Sequence, residues 1–120
     1  MSITIDQDDA QLLAAIGFTG IGRGLCAQSR TVFEGLEALR PGSEAAAIGL
    51  ALNAMGQGDH ARAIALLRNA TQSEAVIAFR VMAHARLGDT GMARELADEL
   101  RAGGAPDDLL ALADGALAAA

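Results

Sequence analysis

The chain has 120 residues, 52% of them hydrophobic, and a formal net charge of −6 at pH 7. This length suits a single hydrophobic core, and this composition excludes a chain too polar to fold. The negative charge and the absence of Trp and Tyr argue against nucleic acid as a partner, because phosphates would be repelled and bases would find few aromatic rings for stacking.

Three features of the sequence indicate the compartment. Residues 1–9, MSITIDQDD, are acidic and lack the apolar core of a secretory signal. The longest apolar stretch, around residues 45–55, is shorter than the roughly 20 residues that a membrane span needs. The lone Cys26 excludes an internal disulfide and is expected to be a buried structural thiol. We therefore expect a soluble, cytoplasmic protein that does not insert into membranes.

The spacing of apolar residues predicts an all-α fold. Residues 1–7 are expected to form a flexible arm, because no other stretch has the pattern of a strand that could pair with them. Ser43, Ser73 and Thr90 are expected N-caps, and Pro106 marks the start of the last helix. Helical periodicity between Gly and Pro breakers predicts seven helices over about residues 8–22, 26–40, 44–55, 60–70, 74–87, 90–102 and 107–117.

Turn glycines recur along the chain, and their spacing indicates a repeat. The separation of Gly24 and Gly58 equals the period of the tetratricopeptide repeat, a helix–turn–helix unit of about 34 residues. Gly58 and Gly88 are slightly closer together. Units of this kind must stack on their neighbours to bury their apolar faces. The predicted architecture is a single domain over residues 8–120. It has three hairpins, about 8–42, 43–72 and 73–103, in a right-handed superhelix, and a C-terminal helix over about 106–118 that caps the last hairpin.

The residue types that carry chemistry are sparse and scattered. His60 and His84 have no His, Cys, Asp or Glu four residues away, so neither belongs to a helical metal site. Residues 22–27 fit the pattern G-x-G-x-x-A, but a predicted helix precedes them where a nucleotide-binding loop requires a strand. No pair of acid and base groups is apparent. We expect no enzyme activity, no metal and no cofactor.

The concave side of a tetratricopeptide superhelix is lined by the first helix of each hairpin, and here those positions carry no charge. A continuous apolar surface of this kind fits an amphipathic helix of a partner, with methionines able to adapt their shape to it. The alternative is that the C-terminal helix or the N-terminal arm fills the hollow, or that these residues are ordinary core. The predicted protein-binding groove consists of Ala14, Phe18, Ile21, Ile48, Leu52, Met55, Ala78, Met82 and Ala85.

Two segments carry a resemblance to a known family. They are LLAAIGFTGIGRG at residues 12–24 and GLALNAMGQGDHARAIALLRNA at residues 49–70. With three hairpins and an acidic composition, the chain resembles the tetratricopeptide-like chaperones of type III secretion needle subunits. The resemblance covers about residues 8–102, and the second segment is its most specific part.

The resemblance implies a cytoplasmic bacterial chaperone. Its groove would hold the C-terminal amphipathic helix of the needle subunit and so prevent premature polymerisation. A small helical co-chaperone would bind the first hairpin, and an empty groove could lead the isolated chain to form a homodimer. The alternative function is a general tetratricopeptide scaffold or assembly factor of a secretion system that binds a folded partner on its convex face.

Overall fold

A computed structural model describes residues 26–120, and the side chains of residues 27–120. The predicted arm over residues 1–7, the predicted helix over 8–22, the turn at Gly24 and the Cys26 thiol lie outside the described part. The regular structure from residue 26 onward is helical throughout, which confirms the all-α fold class there. The six helices in this part are α1 (Cys26–Leu39), α2 (Glu44–Gly56), α3 (His60–Arg68), α4 (Glu74–Leu87), α5 (Thr90–Ala102) and α6 (Asp107–Ala118).

The helix limits agree with the predicted ones within two residues at each end. Ser43 and Ser73 are N-caps as predicted, because each hydroxyl accepts a hydrogen bond of 3.2 Å from the backbone N–H three residues later. The prediction for Thr90 is wrong. Asp89 caps α5 instead, with its Oδ1 accepting from the Met92 N–H at 3.3 Å, and Thr90 is already the first residue of the helix.

The α2–α3 hairpin and the α4–α5 hairpin repeat each other when Gly58 is aligned with Gly88. Asp59 caps α3 as Asp89 caps α5, and the glycine before each aspartate has a positive φ, +82° at Gly58 and +95° at Gly88. A side chain at either glycine would be strained, since L-residues rarely adopt this backbone conformation. Burial also repeats at most equivalent positions of the paired helices α2 and α4.

Helix packing produces two adjoining cores that share α4. One core lies among α2, α3 and α4, around Ile64, Leu67 and Val76. The other lies among α4, α5 and α6, around Val81 and Leu100. Helix α6 contacts both α4 and α5 and covers the apolar side of the α4–α5 hairpin. Each hairpin thus buries its apolar face against the next helix along the chain, which neither hairpin could do alone.

The contact between α1 and α2 depends on one small residue. Phe33 is completely buried, and its ring lies directly over Gly49. A Cβ atom added at Gly49 would overlap this ring, so the glycine allows a close approach of the two helices. The fold therefore needs the smallest residue at this position inside a helix, despite its low helix propensity.

The link between α3 and α4 is short, and Gln72 satisfies its polar groups. The Gln72 side-chain amide donates to the carbonyl oxygens of Leu67 at 2.8 Å and Ala70 at 2.7 Å. Its Oε1 accepts from Nη1 of Arg80 at 2.8 Å. These bonds satisfy carbonyls that the end of α3 leaves without helical partners. This short link is consistent with the smaller separation of Gly58 and Gly88 compared with that of Gly24 and Gly58.

Candidate functional site

The described residues include six of the nine positions predicted for the binding groove. Ala14, Phe18 and Ile21 lie outside residues 26–120, so the part of the groove assigned to the first hairpin stays a prediction. The other six positions lie on α2 and α4, the first helices of the second and third hairpins.

Four of these six are core residues, which is the alternative that the sequence leaves open for them, and one of the four, Ala85, also lines the cleft described below. Ile48 and Met55 are 7% and 3% exposed and belong to the core among α2, α3 and α4. Ala78 and Ala85 belong to the core among α4, α5 and α6. The reason is that α2 and α4 are each packed on more than one side, so a wider face of each helix is buried than a repeat alignment alone indicates.

Leu52 and Met82 differ from the other four because both are half-buried. They occupy equivalent positions in the two hairpins, on α2 and α4 respectively. Each packs partly against the core among α2, α3 and α4 and keeps part of its surface accessible to solvent. These two residues are the described members of the predicted groove that have substantial surface available to a partner.

A cleft of about 720 Å³ lies beside Met82, between α4 and α6. Met82 and Ala85 line it from α4, and Leu112 and Ala116 line it from α6. Leu112 is half-buried, like Met82. Alanines on both walls, Ala85 and Ala116, leave the cleft wide because their side chains are small. The remaining lining residues are His60, Arg86, Ala111, Gly115, Ala119 and Ala120.

The electrostatics of the cleft are simple. Of the ten residues within 26–120 that line the cleft, eight are Ala, Gly, Leu or Met, and none has a carboxylate side chain. Among these described lining residues Arg86 is exposed and carries the one permanent charge, and His60 stands at the start of α3. The described lining is therefore mainly apolar, with one arginine and no acid–base pair of the kind that catalysis uses.

Sequence reasoning missed the wall that α6 contributes. Leu112 and Ala116 are four residues apart, so they share a helix face, and this spacing was a usable signal. The C-terminal helix was expected to cap the last hairpin or to fill the hollow. In the structure it packs on α4 and α5 through residues such as Leu109 and Ala113 and also forms one wall of the cleft.

His84 lies apart from the cleft, near the turn between α4 and α5. Its side chain is 9% exposed, and Nδ1 lies 3.3 Å from Oδ2 of Asp89. Burial lowers the pKa of His84, since the charged imidazolium is poorly solvated there, and the nearby charges of Arg80 and Arg68 also lower it. The carboxylate of Asp89 opposes this shift without cancelling it. Above pH 6.5 the imidazole of His84 is therefore mainly neutral in the folded protein.

Within residues 26–120 no cluster of three or more His, Cys, Asp or Glu side chains is arranged to hold a metal ion. In the same part of the chain no helix is long and apolar enough to cross a membrane.

Comparisons with known proteins leave the family resemblance dependent on the sequence patterns described above. The chain matches no protein-family model, no curated protein and no solved structure.

Proposed function

We propose that this chain is a cytoplasmic bacterial chaperone of the tetratricopeptide-like type. It holds an amphipathic helix of a type III secretion needle subunit and delays polymerisation of that subunit. The proposal depends most on one observation, the cleft between α4 and α6 with its mainly apolar lining. The resemblance of residues 12–24 and 49–70 to needle-subunit chaperones supplies the identity of the guest.

The mechanism follows from burial of apolar surface. A helix that enters the cleft removes its own apolar face and the side chains of Met82 and Leu112 from water. This removal contributes about 25 cal/mol per Å² before the costs of ordering both partners. If needle assembly uses the same face of the guest helix, capture and polymerisation exclude each other. Release at the export apparatus then frees the polymerising face.

The repeated hairpins support the tetratricopeptide part of the proposal. The matched caps and turn glycines of α2–α3 and α4–α5 indicate stacked helix–turn–helix units, which in this superfamily form a right-handed superhelix. The first hairpin, residues 8–42, would complete the stack and bind the small helical co-chaperone that the resemblance implies. The guest helix would then extend from the cleft along Leu52 towards that hairpin.

Charging the cleft tests the proposal. Met82→Asp and Leu112→Asp each place a carboxylate on the apolar floor, and each should reduce co-purification with a co-expressed needle subunit by at least about tenfold. Met92→Asp is the matched control, because Met92 is exposed and lies outside the cleft lining. It should leave capture unchanged. Far-ultraviolet circular dichroism checks that all three variants keep their helices.

Two results would contradict the proposal. One is a needle subunit that co-purifies equally well with Met82→Asp, Leu112→Asp and the unmodified chain. The other is a chain that recovers no needle subunit and shows no effect on its polymerisation when mixed with it. If Met82→Asp and Leu112→Asp still bind the needle subunit, while substitutions outside the cleft abolish binding, the scaffold alternative is favoured.

A further inference from the structure

Helix α6 does not continue the packing pattern of the helices before it. Helix α4 packs mainly on α3, the second helix of the preceding hairpin, and much less on α2, the first helix. Helix α6 shows the reverse, because it packs mainly on α4 and less on α5. It is therefore turned towards the first helix of the α4–α5 hairpin, where it forms a wall of the cleft opposite Met82.

Two alanines of α4 explain this position. In the alignment of the two hairpins, Ala78 and Ala85 of α4 correspond to Ile48 and Met55 of α2. The two alanines belong to the core that contains Ala113 of α6, and the two larger residues belong to the core that α2 shares with α3 and α4. Because the side chains of α4 are short at these positions, α6 can lie closer to α4 than α4 lies to α2.

Helix α6 is nevertheless held by little buried surface. Ala113 is its one buried residue, whereas α4 has six. Helices α2 to α5 each begin with a side-chain cap, and α6 begins at Pro106 without one. Its four leucines are all half-buried: Leu109, Leu110, Leu112 and Leu117. Release of a helix costs free energy in proportion to the apolar surface that it exposes, so we expect α6 to open more readily than α4.

A single polar link joins α6 to α5. Nη2 of Arg101 donates to both carboxylate oxygens of Asp114 at 2.8 Å, and within residues 26–120 no other side-chain hydrogen bond connects α6 to another helix. Both side chains of this pair are 53% exposed, so salt screens it and it adds little to stability. Ala105 is buried, and its N–H donates to the carbonyl oxygen of Leu100 at 3.1 Å. A rotation of α6 would therefore take place after Ala105.

The size of the cleft gives α6 a reason to move. A helix about 10 Å in diameter fills roughly 420 Å³ in each turn, so the cleft of about 720 Å³ holds fewer than two turns. An amphipathic guest helix that buries apolar residues at positions i, i+4 and i+7 spans about two turns. Such a helix can be enclosed between α4 and α6 only if these two walls move apart.

We propose that α6 is a movable wall, which opens as a unit from α4 and α5 to admit the guest helix and then closes on it. Helices α2 to α5 stay folded during this motion. In the free protein the Arg101–Asp114 pair holds the wall closed, and in the complex Leu112 covers the guest from the side opposite Met82. The inference rests on the proposed function for the identity of the guest, whereas the opening of α6 needs no guest and is measured without one.

The first test is hydrogen–deuterium exchange of the full chain without a guest, followed by mass spectrometry. We expect the amides of residues 110–118 to exchange faster than those in the interior of α4. Asp114→Asn and Arg101→Gln each remove the link from one side, and each should raise exchange in α6 about twofold without changing α4. Glu95→Gln, which neutralises an exposed carboxylate of α5 that forms no ion pair within residues 26–120, should change neither. Equal protection of α4 and α6, or unchanged exchange in both link variants, overturns the proposal.

The second test adds a synthetic peptide with the sequence of the C-terminal helix of the needle subunit. A movable wall predicts that the bound peptide slows exchange in α6, and that Asp114→Asn raises the association rate constant about twofold in stopped-flow fluorescence. Binding of the peptide with unchanged exchange in α6 overturns the movable wall and leaves the proposed function standing. Rapid exchange in α6 with no binding of the peptide supports the opening and contradicts the proposed function. Circular dichroism confirms that every variant is folded.

Discussion

The two hairpins α2–α3 and α4–α5 share their framework and differ in what that framework carries. Both have a serine cap, a glycine with positive φ and an aspartate cap at equivalent positions. They differ in side chains that the framework leaves free to vary. Asn53 of α2–α3 lines a polar pocket, and its equivalent in α4–α5 is Ala83; the buried His84 of α4–α5 is equivalent to Ala54 of α2–α3.

The same comparison explains how each hairpin meets the helix before it. At Gly49, α2 admits the ring of Phe33 from α1, so the large residue comes from the preceding helix. The equivalent position of α4 is Phe79, which packs against the core that contains Leu67 of α3. The large residue therefore comes from the preceding helix at the α1–α2 contact and from α4 itself at the α3–α4 contact.

The largest expected effect is that of Gly49→Ala. The added methyl group overlaps the buried ring of Phe33, and overpacking of this kind costs about 1–3 kcal/mol, more than the gain in helix propensity. Gly35→Ala is the control, because nothing lies near a Cβ at Gly35 on the exposed side of α1. It should stabilise the protein by up to about 1 kcal/mol. Urea unfolding followed by circular dichroism measures both, and an equal response of the two variants would contradict the role assigned to Gly49.

The caps provide an intermediate effect and test the equivalence of the hairpins. Asp59→Ala and Asp89→Ala should each lower the free energy of unfolding by about 1 kcal/mol at pH 7.5, because each removes the acceptor for an N–H at a helix start. Urea unfolding of both variants measures these losses, and similar values support a shared framework. If only one variant lowers the free energy of unfolding, the two caps contribute differently to stability despite their similar geometry.

The smallest expected effect is on the pH dependence of the free energy of unfolding, to which His84 of the α4–α5 hairpin should contribute. The folded pKa of His84 lies below its ordinary value of 6.5, so the unfolded chain binds the proton first as the pH falls. Stability from the neutral imidazole is complete well above pH 6.5 and declines below it. His84→Ala, which introduces the residue found at the equivalent position of α2, Ala54, should reduce the loss of stability between pH 7.5 and 5.5. Urea unfolding at both pH values measures this difference, and an unchanged or steeper loss in the variant would contradict it.

Sequence patterns predicted the described helices more accurately than they predicted the site. Helix limits follow from local signals such as Ser43, Ser73 and the turn glycines, which act within a few residues of where they stand. The groove positions were chosen from one helix face in each repeat. Ile48 and Ala78 are buried, in agreement with the alternative that these positions are ordinary core, because neighbouring helices cover a wider face than the pattern of one helix can show.

The sequence by itself determined the all-helical character of residues 26–120, the order of the helices and most of their caps. These properties depend on periodicity, capping and backbone preferences that are local in the chain. Tertiary structure decided which side chains remain accessible. It placed Leu112 opposite Met82, brought Arg30 and Arg62 to one pocket and buried His84 beside Asp89. Such juxtapositions depend on how separate helices cross, and the crossing is set by the packing of many side chains together.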